Sequence, residues 1–388
     1  MNPLDGITIV SLEQAVAAPF ATRQLADLGA RVIKIERPVV GDFARGYDET
    51  VNGLASHFVW LNRSKESVAL DLKSVEGREA VQALAAQADV FVQNLAPGAA
   101  DRLGLGAEEL RAVNPRLIHV SISGYGTGGP YSSKKAYDLL VQCEAGLVSI
   151  TGTEDEPSKV GISIADIASG MYAYSGVLTA VIKRERTGEG ATIEVSMLEA
   201  LSEWMGFPLN YAMYGGVAPS RTGARHAAIA PYGPFSCGDG KQVFLGIQNE
   251  REWATFCDRI LGSPELARNE RFVRNSQRVQ HNSELRAEIE RVFQAYTADE
   301  VSDLLEESGI ANALLRTMDG LAAHPQLEAR DRWRTYQSPA GELRALIPPV
   351  TMSDSTPVMG PIPEIGQHTE AILAEFGVAP VSNVPAGF

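Results

Sequence analysis

Cysteine is scarce. Cys143, Cys237 and Cys257 are the only three in 388 residues, and they lie far apart. No C-x-x-C occurs and none has a histidine at ligand spacing, which argues against a zinc site and a disulfide framework. Each reads as a small core hydrophobe, and a reducing cytoplasm fits. The six histidines, His57, His119, His226, His281, His324 and His368, form no pair at metal-ligand spacing, so no metal is expected. No run approaches the roughly 18 apolar residues of a membrane helix. The start, MNPLDGITIV, lacks a basic n-region and a cleavage pattern, so no signal peptide is read there. No G-x-S-x-G elbow is present to make a serine hydrolase of that type. Basic residues are outnumbered, 34 against 48 acidic, for a net charge of −14. That disfavours nucleic acid and anionic membranes as partners, but leaves room for an anionic small ligand held by local basic groups. Internal repeats and low-complexity tracts are absent.

What is present is an ordinary globular composition, 45% apolar and 21% charged. The length exceeds the size at which one core keeps growing, so two domains are expected. Gly6–Leu12 reads as a β-branched strand. A helix over Phe20–Leu28 opens at Pro19 and stops at Gly29, and Arg31–Ile35 is a second strand. This is a βαβ unit with parallel pairing. Strands at Val68–Leu72, Asp89–Gln93 and Leu117–Ser121 follow, separated by a helix that Ser74 caps and by another over Glu108–Val113. The alternation predicts an α/β fold, a doubly wound Rossmann-like sheet with helices on both faces. Asp138–Ile150 is helical in period. Ala168–Lys183 is a helix with Met171, Tyr174, Leu178 and Val181 on one face, and Glu194–Tyr211 reads as a second buried helix. Arg221–Pro234 has linker composition. Beyond it come an Asp-Gly hairpin across Phe235–Gly246, helices Glu250–Leu261 and Asn282–Tyr296, and Ala298–Glu307 capped by Thr297 with Glu300 at the capping-box position. The expected division is a large domain of residues 1–224 plus 326–388 and a smaller α+β domain of residues 225–325. Short proline-bearing strands are expected at Ile347–Pro349 and Pro357–Pro363, then a helix over Thr369–Phe376 and fraying across Gly377–Phe388.

Asp166 is the residue most in need of an explanation. It sits in KVGISIADIASGMYAY, residues 159–174, where the only other charge is Lys159. Aspartate is rarely buried unless paired or functional. At or just before a helix N-terminus it is also a favoured cap, which accounts for it without catalysis. An Asp can equally act as a nucleophile and form covalent acyl intermediates. Around it, Arg37, Lys73, Asn94 and Arg102 follow the ends of successive strands. Ligands of open α/β sheets bind outside those carboxyl ends, so this placement points to an anionic ligand with several phosphates. Gly124, Gly126 and Gly129 match G-x-G-x-x-G formally. Pro130, Tyr131, Ser132 and Ser133 follow where the dinucleotide motif needs a helix, and the first βα turn has no glycine. A flexible loop over a ligand is the better reading.

Several segments, in order and across nearly the whole chain, carry a resemblance: PLDGITIVSLEQAVAAPFATRQLADLGARVIKIERP (3–38), ALDLKSVEG (69–77), VQNLAPGAADRLG (92–104), NPRLIHVSISGYGTGGPY (114–131), AYDLLVQCEAG (136–146), IADIASGMYA (164–173), RTGEGATIEVSMLEA (186–200), and APYGPF with its downstream DG (230–240). The chain resembles a class III CoA-transferase of the CaiB/BaiF type. That family includes formyl-CoA, carnitine and bile-acid CoA-transferases and is related to the α-methylacyl-CoA racemases. The resemblance implies that Asp166 is the catalytic aspartate. It implies that Ala15, Val16 and Ala17 form the loop beside it, and that Arg37, Leu70, Lys73, Asn94, Leu95 and Arg102 contact CoA. Lys135 and Tyr137 would flank the pantetheine and thioester. It implies an interlocked homodimer, no cofactor beyond the CoA thioester substrate, and transfer of CoA from an acyl-CoA donor to a small carboxylic acid through an aspartyl-CoA thioester. Two departures are informative. Formyl-CoA transferases carry Gln where this chain has Val16, which turns the expectation away from formyl and oxalyl substrates toward a short di- or hydroxy-carboxylic acid with succinyl-CoA or a similar donor. Racemases carry His where this chain has Tyr137, so racemisation lacks one of its two proton carriers. A racemase using Asp166 as base, and a non-catalytic acyl-CoA-binding protein, are the alternatives.

Overall fold

A computed structural model describes residues 2–381. These fall into two compact units. One holds the described residues up to Gly146, Val160–Phe207 and those from Ala329 onward. The other holds Leu147–Lys159 and Pro208–Glu328.

The first unit is built on a six-stranded parallel sheet of β1 (Thr8–Leu12), β2 (Arg31–Glu36), β3 (Lys65–Ala69), β4 (Val90–Gln93), β5 (Ile118–Ser123) and β6 (Ala191–Ser196), in the order β3-β2-β1-β4-β5-β6. The helices that matter below are α1 (Ala17–Asp27), α2 (Val75–Gln87), α3 (Ala107–Val113), α4 (Asp138–Glu144), α5 (Ile164–Thr187) and α6 (Met197–Trp204). One face of the sheet buries Ile9, Val90, Val92 and Val120 against Leu25 of α1 and Ala173 and Val177 of α5. The other buries Val10, Ile33 and Phe91 against Leu84 of α2 and Leu110 of α3. Side chains alternate across a strand, so continuous apolar strands need helices on both faces, and the doubly wound arrangement supplies them.

Ser74 caps α2 as its position predicts, accepting from the Gly77 N–H at 2.9 Å. Elsewhere the structure corrects the sequence. The third strand is Lys65–Ala69 rather than Val68–Leu72, because Lys65 is buried as an ion-pair partner and belongs to the sheet. Glu194–Tyr211 is not one helix. It is the end of β6 followed by α6 and a helix over Gly206–Gly215. The strand meets the helix at Ser196, whose hydroxyl accepts from the Glu199 N–H at 3.3 Å and caps α6.

The second unit carries an antiparallel sheet of β7 (Tyr232–Ser236), β8 (Gln242–Gly246) and β9 (Asn312–Leu314). The expected hairpin joins the first two strands. Trp253, Phe256, Phe272 and Phe293 fill the core beneath them. Thr297 and Glu300 form the predicted capping box. Back in the first unit, β10 (Trp333–Ser338) and β11 (Gly341–Leu346) make an antiparallel hairpin. No strand forms at Ile347–Pro349 or Pro357–Pro363, where prolines remove ladder donors. The helix Thr369–Glu375 packs Ile372 and Leu373 into the core. Residues 382–388 of the stretch expected to fray lie outside the described residues.

Candidate active site

All six strands of the large sheet run the same way, so the residues that follow them gather on one edge. Arg37 follows β2, Leu70 and Lys73 follow β3, and Asn94 and Leu95 follow β4. Arg102 closes a short helix, Ala99–Arg102, just beyond. Arg37, Lys73 and Arg102 are exposed. Leu70 is buried, so any contact it makes to a ligand runs through its backbone. Between β2 and β4, at the centre of this edge, lies the turn from β1 into α1, which contains Ala15, Val16 and Ala17.

That turn is strained and held from two sides. Ala15 has φ 62°, a left-handed conformation that costs a residue with a Cβ. The side chain of Asn94 clamps Gln14, accepting from its N–H and donating to its carbonyl, both at 2.9 Å. Asp42 Oδ1 accepts from the Ala15 N–H at 3.1 Å. Asp42 is in turn tied to Lys34 at 2.8 Å, and Lys34 and Lys65 both reach Glu13, at 3.3 and 2.6 Å. All four side chains are fully buried. Burial pushes the Glu13 carboxyl up, but Lys65 and Lys34 outweigh it and hold it below the usual range. Asn94 is thus a clamp on the turn beside Asp166.

A helix that leads into a parallel strand runs against it, so the N-terminus of α5 lies on the same edge. Asp166 sits in its first turn. The cap is Ser163, not Asp166, and α5 starts four residues before the expected Ala168. One turn on, a Cβ built at Gly170 would lie 2.7 Å from the Ala17 carbonyl oxygen and 3.0 Å from the Phe20 ring. The missing side chain lets α5 press against the start of α1, which brings Asp166 beside the Ala15–Ala17 turn. Tyr47, which the sequence did not single out, is also here. Burial first, then the charges of Asp42 and Asp166 and the nearby Tyr137, push its hydroxyl up to about 12, so it stays a hydrogen-bond donor. Tyr137 and Lys135 are exposed on the segment entering α4, with Tyr137 at its N-cap.

Two opposing influences meet at Asp166. A helix N-terminus should hold a carboxylate ionised. Burial, and next the charge of Asp138, instead push the Asp166 carboxyl up to about 7. Asp138 Oδ1 has taken the leading N–H groups of α5, accepting from Ala165 at 2.8 Å and Asp166 at 3.2 Å. Nothing local in the sequence signals this, since an Asp at the first position of α4 reads as an ordinary first-turn acid.

The glycine-rich turn lacks the helix that a dinucleotide motif needs. Thr127 is pinned to Glu194 through its N–H and hydroxyl, and no helix starts at the third glycine. It borders a cavity of about 520 Å³ on the α3 side of the sheet, lined among others by Gln93, His119, Ser121 and Gly126. Of the residues predicted for the site only Leu95 lines that cavity. Among the described residues no group of three or more His, Cys, Asp or Glu could hold a metal ion, and no helix is long and apolar enough to cross a membrane.

Comparison with known proteins shows the family and the fold. The family model described as CoA-transferase family III matches residues 4–369. The human succinyl-CoA:glutarate CoA-transferase is 34% identical, with 97% of this chain and 86% of the relative covered. The acetyl-CoA:oxalate CoA-transferase of Acetobacter aceti is 38% identical, with 85% of each covered. A crystal structure of a CaiB/BaiF family protein from Brucella suis superposes with a TM-score of 0.84 at 34% identity, over 97% of this chain and 100% of that one.

Proposed function

The chain belongs to CoA-transferase family III, and from that premise we propose that it moves CoA from succinyl-CoA or a similar donor to a short di- or hydroxy-carboxylic acid through a covalent thioester on Asp166. The observation that carries the reading is the position of Asp166, at a helix start on the ligand-binding edge, beside the clamped turn and raised to about 7. A carboxylate that basic is a stronger nucleophile than an ordinary one and is still about half ionised near neutrality.

The steps balance without a cofactor. The Asp166 carboxylate attacks the donor thioester carbon, the C–S bond breaks, and a mixed anhydride and CoA thiolate result. The thiolate attacks the Asp166 side-chain carbonyl and expels the donor acid, leaving an aspartyl-CoA thioester. The acceptor carboxylate attacks that carbonyl and frees the thiolate again. The thiolate then takes the acceptor acyl group and restores the Asp166 carboxylate. Each tetrahedral oxyanion needs donors, and the start of α1 suits the task because its cap, Val16, offers no side chain to the leading N–H groups. Arg37, Lys73 and Arg102 would hold the CoA phosphates, and Lys135 and Tyr137 would border the thioester. The named relatives that act on glutarate, citramalate and mesaconate support a dicarboxylic or hydroxy-acid acceptor. The implied homodimer is supported by the exposure of Leu209, Met213 and Tyr214, apolar residues of the Gly206–Gly215 helix.

Intact-protein mass spectrometry after mixing with succinyl-CoA and hydroxylamine tests the route. A hydroxamate mass shift that maps to Asp166 and is absent from Asp166→Ala is expected. No adduct with any of several acyl-CoA donors, despite CoA binding, would overturn it in favour of a racemase or a binding protein.

A further inference from the structure

Two carboxylates share one helix start, and only one of them is needed by the chemistry above. We infer that Asp138 is the positioning residue of Asp166: it occupies the leading N–H groups of α5 and anchors to Gln142, which leaves the Asp166 side chain in the first turn without those donors. This deepens the reading of Asp166 as the acyl-carrying group and rests on it.

The geometry is a three-point bracket. Asp138 Oδ1 accepts from the Ala165 and Asp166 N–H groups. Its other oxygen accepts from Gln142 Nε2 at 2.6 Å, one turn on along α4. Gln142 is fully buried, and its Oε1 accepts from the Val160 N–H at 3.0 Å, on the strip of chain that leads into α5. Asp138 and Gln142 therefore fix both the approach to α5 and its first turn. Ser163, the formal cap, makes no side-chain capping bond, so this work falls to α4. The donors that a helix end offers an anion are spent on Asp138. Asp166 is left beside a standing negative charge in a partly desolvated site.

Asp138 is the charge that acts on the Asp166 carboxyl at this helix start. Asp42 and Tyr47 add negative charge or a neutral hydroxyl. Tyr137 brings a hydroxyl at the start of α4. The first turn of α1 has no acidic residue and meets α5 through Ala17 and Phe20, while its Arg23 and Asp27 pair with each other at 2.6 Å. On α6, Glu199 and Glu203 are exposed. On β6, Glu194 is engaged by Thr127. On β5, His119 stacks on Phe91 in the opposite core and bonds the Leu105 carbonyl at 3.2 Å.

The test is an infrared titration of the carboxylic-acid C=O band on the full chain without substrate, with Asp166→Asn subtracted to isolate the Asp166 signal. Asp138→Asn keeps an oxygen for the two N–H groups and removes the charge. Its expected midpoint lies at least about one pH unit below wild type, a tenfold change in acidity. Asp138→Asn with Gln142→Glu restores the bonds between the two side chains and moves the charge one turn away, and its midpoint should fall between the two. A purely structural role predicts full return to the wild-type midpoint in that double variant, which would overturn the inference, as would a midpoint in folded Asp138→Asn within about half a pH unit of wild type. If Asp138→Asn does not fold, the double variant alone decides. The acidic limb of kcat with succinyl-CoA should move with the infrared midpoint while KM holds. Wild type without turnover but with the shifted band would refute the transferase reading and leave the inference standing.

Discussion

At the scale of single residues, the raised pKa of Asp166 has a thermodynamic cost. The folded chain holds a proton there that the unfolded chain loses near pH 4, so between about pH 4 and 7 the native state binds more protons and stability falls as pH rises. Above pH 7 the loss is complete. Asp166→Asn removes it, by about 2 kcal/mol after allowing for partial solvation of the side chain. Thermal melts should therefore show the variant more stable than wild type at pH 8 and nearly level with it at pH 4.5. An equal difference at both would contradict the assigned acidity. Asp166 stood out in IADIASG as the residue to explain, but its raised pKa was not legible there. Burial raises it first and the charge of Asp138 next, and both arise only once α4 is folded against α5. Asn94 was legible as an edge residue, whereas its bond to Gln14 crosses between two strand ends that no local pattern links.

At the scale of elements, the site depends on how closely α1 and α5 approach. Gly170→Ala places a methyl group on the Ala17 carbonyl and the Phe20 ring, and overpacking of this kind costs about 1–3 kcal/mol. It should lower the Tm and reduce kcat more than it weakens CoA binding, because it displaces Asp166 from the Ala15–Ala17 turn and leaves the strand-end cations in place. Calorimetry and steady-state kinetics check this, and CoA affinity falling in step with kcat would contradict it. The strands with strong apolar periodicity were read correctly, and so were the helices with caps of their own, at Ser74 and Thr297. Among the strands that the sequence reading missed, two have a plain physical reason. β3 opens Lys-Glu-Ser, which looks like loop until Glu13 is seen to neutralise Lys65 inside the core. β6 runs into α6 without a turn, so its alternation was absorbed into the helix that follows.

At the scale of the whole molecule, each unit has its own core. Phe293→Ala should cost the second unit about 3–5 kcal/mol through the cavity it leaves beneath β7 and β8. Hydrogen exchange is expected to show lost protection in β7–β9 with protection kept in β1–β5. Uniform loss across both would show that the two melt as one. The first unit is also discontinuous in sequence, and its last segment seals an edge. The Ser64 N–H donates to the Pro361 carbonyl at 2.9 Å, Ser67 and His368 exchange bonds, and the Ala69 N–H donates to Thr369 Oγ1 at 2.9 Å, so the free side of β3 is covered. An exposed strand edge invites pairing with any other chain. During synthesis, the second unit is complete once residue 328 has left the ribosome, while β3, made some 300 residues before its cover, waits bare. A nascent chain stalled before Thr369 would thus carry an open sheet edge.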